Sequence, residues 1–178
     1  MADSLKALLV EDNMQMRVLL RSLLNSLGIR EITEATNGER ALAYLQEFAV
    51  DLIVTDLSMQ PVDGITLTKT VRQSPESKNP YVPIVMVTGH TERHRVEAAR
   101  DAGVTEFLAK PITTKNLFLR ISEIVERPRP FVRCSGYFGP DRRRRYHESY
   151  HGPWRREGEG KKADQADNDT ILIQEAES

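Results

Sequence analysis

The chain has 178 residues, enough for one domain with an appendage and too few for two full-sized domains. Apolar residues make up 39% and aromatics 6%, so part of the chain builds a core and part is left thinly packed, while a net charge of -1 removes any global attraction to nucleic acid or acidic lipid. Cys134 is the single cysteine, which excludes an internal disulfide framework and a cysteine-cluster metal site; the apolar run from Ala7 to Val10 is too short for a signal core or membrane span, so a soluble protein of the reducing cytoplasm is expected.

In chain order, the first short apolar run, Leu8-Leu9-Val10, reads as a strand covered on both faces, because it lacks polar alternation. Met16, Leu19, Leu20, Leu23, Leu24 and Leu27 then recur on one helical face, with Gly28 where a left-handed helix stop belongs. Glu31 to Ala35 alternates polar and apolar residues, as expected of a strand near a sheet edge. Leu52-Ile53-Val54, Ile84 to Val87 and Val104 to Leu108 supply three further strands. Helices are expected over about 38 to 48, 64 to 73, 91 to 101 (begun by Thr91, stopped near Gly103) and 114 to 126. Five strands alternating with five helices through short connections require a parallel sheet with right-handed crossovers and helices on both faces, an α/β doubly wound layout.

From Arg127 the periodicity stops. Arg127-Pro128-Arg129-Pro130 ends the last helix, since proline lacks an amide donor and restrains its neighbour. Charge locates the same boundary: residues 1–126 carry fourteen basic and seventeen acidic side chains, 127–157 nine and three, and 158–178 two and six. We therefore divide the chain into a domain over 1–126 and a basic, then acidic, extension over 127–178 that is expected to be mostly irregular or partner-dependent.

The reactive residues of the first part all follow strands: Glu11 and Asp12 the first, Asp56 the third, Thr88 the fourth and Lys110 the fifth. Taken singly, each is ordinary turn or cap chemistry. In a doubly wound sheet, however, the carboxyl ends of the strands share one crevice, so these side chains converge. Three carboxylates there repel one another unless a cation intervenes, and hard oxygen donors facing a phosphoryl group point to Mg2+. Asp56 then suits a nucleophile toward phosphorus, Lys110 a point charge for a phosphoryl oxygen, and Thr88 a hydroxyl donor to another.

At these positions the sequence resembles the CheY-like receiver domain of bacterial two-component response regulators over about residues 5 to 126. The likeness is carried by Leu8-Leu9-Val10-Glu11-Asp12-Asn13, Val54 through Gly64, Val85-Met86-Val87-Thr88-Gly89 and Phe107-Leu108-Ala109-Lys110-Pro111. It implies a flavodoxin-like fold and a signalling switch that performs only self-directed phosphoryl transfer. It also implies Asp56 as phosphoacceptor, Glu11, Asp12, Asp56 and the Ser58 carbonyl as magnesium ligands, Thr88 and Phe107 as switch residues, and a cis peptide before Pro111. A sensor histidine kinase or phosphotransfer protein would be the donor, and the surface of the fourth helix, fifth strand and fifth helix, here about Thr91 to Glu126, would meet a downstream protein target. Two departures stand out. Glu11 occupies a place more often taken by Asp, and the proline expected after Met59 is displaced by one, with Gln60 preceding Pro61. Ser58 and His90 lie where members of the family tune dephosphorylation.

Two other functions have some support in the residues. A magnesium-dependent aspartyl phosphatase requires a second Asp two residues after the first, and Ser58 stands there. In the extension, Tyr137, Phe138 and the run Arg142, Arg143, Arg144 and Arg145 suit phosphate gripping and base stacking. A solvated basic run, or a strip docked on the acidic domain or on a partner, takes precedence over nucleic acid. The aromatics, with Trp154, favour docking.

Overall fold

The computed structural model describes residues 5–89, 93–134 and 136–142. Its elements are β1 (Lys6–Val10), α1 (Met14–Ser26), β2 (Glu31–Ala35), α2 (Gly38–Glu47), β3 (Leu52–Asp56), α3 (Gly64–Gln73), β4 (Ile84–Thr88), α4 (Arg93–Ala102), β5 (Glu106–Ala109), α5 (Thr114–Glu126), β6 (Phe131–Cys134) and β7 (Tyr137–Pro140). The first five strands form a parallel sheet in the order β2-β1-β3-β4-β5. That is the doubly wound layout expected from the alternation.

Strand pleating sorts the apolar runs onto the two faces. Ala7 and Leu9 of β1, Val54 of β3 and Val85 and Val87 of β4 pack with Leu20 and Leu24 of α1 and Leu117 of α5. Leu8 and Val10, Ile53 and Ile84 point the other way, onto Ala41 of α2 and Leu67 and Val71 of α3. Because both faces are covered, β3 and β4 are buried along their whole length, whereas β2, at the edge, is buried only at Ala35. Leu19, assigned to the buried stripe of α1 by spacing, is instead 42% exposed.

Side-chain caps fix where helices begin. Asn13, Asn37, Asp63 and Thr113 each accept from the amide three residues on, satisfying donors that the first turn leaves unpaired. The start assigned to Thr91 for α4 lies outside the described residues. β5 begins two residues later than its apolar run suggests, because the Val104 amide bonds back to Ala99 O and closes α4.

The irregular extension expected after Arg127 departs from the structure over its first part. β6 and β7 form an antiparallel hairpin, with Val132 opposite Gly139 and Cys134 opposite Tyr137. The hairpin is anchored on the domain. Phe138 and Phe131 pack edge-on against Tyr81 at 5.2 and 5.3 Å. Gly139 lies so close to the α4–β5 turn that a Cβ there would come within 2.8 Å of the Gly103 Cα. Beneath it, the buried Arg72 of α3 donates to Gly103 O (3.0 Å), Pro80 O (2.6 Å) and Val82 O (2.8 Å), with its guanidinium 5.0 Å from the Phe131 ring centroid. Burial pulls its pKa down to about 9. Three carbonyl dipoles and a ring face therefore stand in for the carboxylate such a cation ordinarily has. Arg129 meets the buried Glu106 at 3.3 Å, and Arg142 pairs with Asp101 of α4 at 3.2 Å. Arg143, Arg144, Arg145 and Trp154 lie outside the described residues.

Phe138→Ala is expected to lower the unfolding free energy by about 3 kcal/mol, read from urea titration. Ending the chain after Glu126 should move the midpoint in the same direction; midpoints equal to that of the full chain would show that the hairpin adds nothing to the domain.

Candidate functional site

Parallel strands with right-handed crossovers deliver their carboxyl ends to one side of the sheet, and there the structure brings Glu11, Asp56, Thr88 and Lys110 together around a cleft of about 250 Å3. Asp56 closes β3 and is buried. Its Oδ2 accepts from the Ser58 amide at 2.7 Å, and its Oδ1 lies 2.7 Å from Lys110 Nζ. Glu11, just beyond β1, is 1% exposed. Its Oε1 accepts from the Asn13 amide at 3.2 Å. Oε2 is buried without a hydrogen-bond partner, with Lys110 Nζ 3.5 Å away. Thr88 ends β4, buried, and its carbonyl accepts from the Lys110 amide at 2.9 Å, which registers the two strand ends. Asp12 stands exposed at the rim.

The electrostatics follow from this crowding. Burial, and then the negative charge of Asp56, raise the Glu11 pKa above the usual carboxylate range. For Lys110, burial disfavours the charge, but the hydrogen bond and charge of Asp56, followed by Glu11, outweigh it and hold the pKa above its ordinary value. One ammonium thus serves two buried carboxylates, closely at Asp56 and at 3.5 Å at Glu11 Oε2, which is left without a hydrogen-bond partner.

That shortage is the test of whether magnesium fits. A buried Glu11 oxygen without a hydrogen-bond partner beside Asp56, with Asp12 and the Ser58 carbonyl on neighbouring loops, is a set of hard oxygen donors suited to Mg2+. Among the described residues no three acidic, histidine or cysteine side chains form a ready-made metal cage.

Local sequence explains the close fit of the loop after β3. The Gly64 amide donates to Leu57 O at 3.1 Å, and a Cβ on Gly64 would sit 2.3 Å from the Asp56 carbonyl oxygen, so the start of α3 can lie against Asp56 only without a side chain. The displaced proline gives a cis Gln60–Pro61 bond, and the expected cis bond at Lys110–Pro111 is present. Phe107 is half-buried, against the cluster of Leu57, Met86, Ala99 and Val104. His90 lies outside the described residues. One contact has no signature in the sequence: Arg95 of α4 donates from Nη1 to Ser58 Oγ at 3.2 Å, across thirty-seven residues. In the extension, Tyr137 and Phe138 face inward and are buried, while Arg142 lies over the Tyr137 ring at 4.1 Å.

A five-stranded doubly wound sheet with two buried carboxylates, a threonine and a lysine at its strand ends is the arrangement of a receiver module. Residues 7–122 match the response regulator receiver domain, and the chain belongs to that family of two-component response regulators. It is 35% identical over 124 residues to chemotaxis protein CheY-3 of Vibrio cholerae, covering 70% of this chain and 94% of that protein. It is 36% identical over 123 residues to CheY of Pseudomonas aeruginosa, covering 69% and 98%. Among solved structures, V. cholerae CheY4 aligns with a TM-score of 0.61 at 28% identity, over 67% of this chain and 98% of that one. The receiver domain of a P. aeruginosa sensor histidine kinase, which has a magnesium ion coordinated in its active-site cleft, aligns with a TM-score of 0.62 at 27% identity, over 69% and 98%. Receivers of this type are signalling switches, not classical enzymes. No helix among the described residues is long and apolar enough to cross a membrane.

Gly64→Ala is expected to destabilise the domain by about 3 kcal/mol, because the new methyl meets backbone and not a movable side chain. Thermal unfolding with and without the substitution checks this, and an unchanged midpoint would show that α3 can withdraw from Asp56.

Proposed function

We propose that Asp56 accepts a phosphoryl group from a phosphohistidine of a sensor histidine kinase or phosphotransfer protein, and that the modified domain changes its affinity for a downstream protein. The observation that carries this reading is the 2.7 Å contact between Asp56 Oδ1 and Lys110 Nζ, in a cleft where the adjoining Glu11 oxygen lacks a hydrogen-bond partner. A carboxylate oxygen of Asp56 forms the new bond to phosphorus as the bond to the donor nitrogen breaks, and that electron pair leaves with the imidazole. Lys110, freed from the carboxylate, takes a phosphoryl oxygen, and the Thr88 hydroxyl donates to another. Glu11, Asp12, Asp56 and the Ser58 carbonyl would hold Mg2+, which when bound neutralises charge on the phosphoryl group.

Inward movement of Thr88 draws Phe107 after it, and the surface of α4, β5 and α5 is remodelled; one covalent charge biases a two-state equilibrium. The exposed thiol of Cys134 suits the reducing cytoplasm in which we place this switch. Burial of Tyr137 and Phe138 supports the docked reading of the extension over base stacking, because buried rings cannot intercalate. Ser58, where a phosphatase needs its general acid, already accepts from Arg95, and this supports the switch over the enzyme.

Incubation with acetyl phosphate and magnesium should give an acid-labile adduct on Asp56, located by mass spectrometry, and Asp56→Asn should reduce it to background. An adduct that survives the substitution, or no adduct on the unaltered chain, would overturn the assignment.

A further inference from the structure

β5 ends in Ala109, directly before Lys110, whose Nζ lies 2.7 Å from Asp56 Oδ1 in the cleft. The same strand begins with Glu106, which is 3% exposed and receives Arg129 Nη2 at 3.3 Å from the segment that leads into the hairpin. Arg129 Nη1 also donates to Asp141 O at 3.3 Å, so one guanidinium joins the two ends of the hairpin to β5. The hairpin is held on α4 as well. Arg142 meets Asp101 at 3.2 Å, and Gly139 lies against Gly103 in the turn between α4 and β5. None of the hairpin's residues lines the cleft. Any effect of the extension on Asp56 is therefore indirect, and β5 is the element that leads from one to the other.

We propose that the β6–β7 hairpin is a built-in brake on phosphorylation: docked on β5 and α4, it holds β5 in the arrangement that pairs Lys110 with unmodified Asp56, and loading of Asp56 loosens the hairpin in return. The proposal rests on Asp56 being the acceptor and on Phe107 and Lys110 shifting when it is loaded. Phe107 is the next residue after Glu106, and Lys110 follows three residues later. A strand of four residues that shifts at Phe107 and Lys110 carries Glu106 with it, and so draws that carboxylate away from Arg129. Because Glu106 is almost out of water, lengthening its ion pair costs more than it would at the surface. The packing has little slack either, since a Cβ on Gly139 would come within 2.8 Å of the Gly103 Cα. The coupling is reciprocal: the factor by which docking disfavours loading is the factor by which loading disfavours docking.

The full chain is titrated in magnesium with beryllofluoride, which adds to an aspartate carboxylate as a stand-in for the phosphoryl group and does not turn over, and the bound fraction is read by fluorine NMR. Arg129→Ala should tighten binding about fivefold. Arg142→Ala, which cuts the hold on α4 at the surface, should tighten it by a smaller factor, and Arg129→Lys, which keeps the charge, should return most of the way to the unaltered chain. Damage to the fold alone would weaken binding, so the direction of the change separates a brake from a prop. In the reciprocal measurement, amide hydrogen exchange across 131–134 and 137–140 should quicken about fivefold when beryllofluoride is bound. Binding by either alanine variant that equals or falls below that of the unaltered chain, or hairpin exchange that beryllofluoride leaves unchanged, would overturn the proposal while leaving Asp56 as acceptor. Failure of the unaltered chain to take up beryllofluoride at all would instead remove the reading on which the proposal rests.

Discussion

Two carboxylates that have left water and share one ammonium set the terms for this molecule. Glu11 and Asp56 come from adjacent strands and Lys110 from the edge strand, so the contact exists only when the whole sheet is in register. Burying such charges is unfavourable unless they are matched, and here the match is left incomplete at Glu11 Oε2. Any charge brought into so desolvated a cluster changes the local balance far more than it would at a solvated surface. Most of the sheet, meanwhile, is ordinary apolar packing that holds the strand ends still.

Strand β5 connects this centre to the rest of the chain. Four residues long, it is followed directly by Lys110 at the cleft and starts with Glu106, buried near the hairpin. The two oxygens of Glu106 are met by Arg120 of α5 at 3.4 Å and by Arg129 of the extension at 3.3 Å. A short strand tied by charge at both ends moves as a unit more readily than it bends, and Phe107 lies between the two ties. One four-residue strand thus carries a contact to the hairpin at its start and leads into the cleft at its end.

Much of this was legible in the residue order, and the reason is physical. Runs such as Ile84 to Val87 have no polar alternation because helices cover both sides, and a doubly wound topology then forces Asp56, Thr88 and Lys110 to one edge without further information. The hairpin was not legible. Tyr137-Phe138-Gly139-Pro140 has neither the period of a half-buried strand nor a proline-free run, and its stability comes from Tyr81, Arg72 and Gly103, which lie far earlier in the sequence. Arg72 reads as the polar side of a helix until the turn carbonyls packed against it, Gly103 O and Val82 O, are seen to need its donors. The Arg95–Ser58 contact was hidden for the same reason: nothing local in either segment refers to the other.

Arg142, the last residue of the described chain, is fastened both to Asp101 and to the Tyr137 ring. Its guanidinium is thereby held on the flank of α4, where the end of the hairpin meets that helix. The negative charge of Asp101 is thus balanced from the extension, and this flank of α4 presents less acidic charge than the bare helix would.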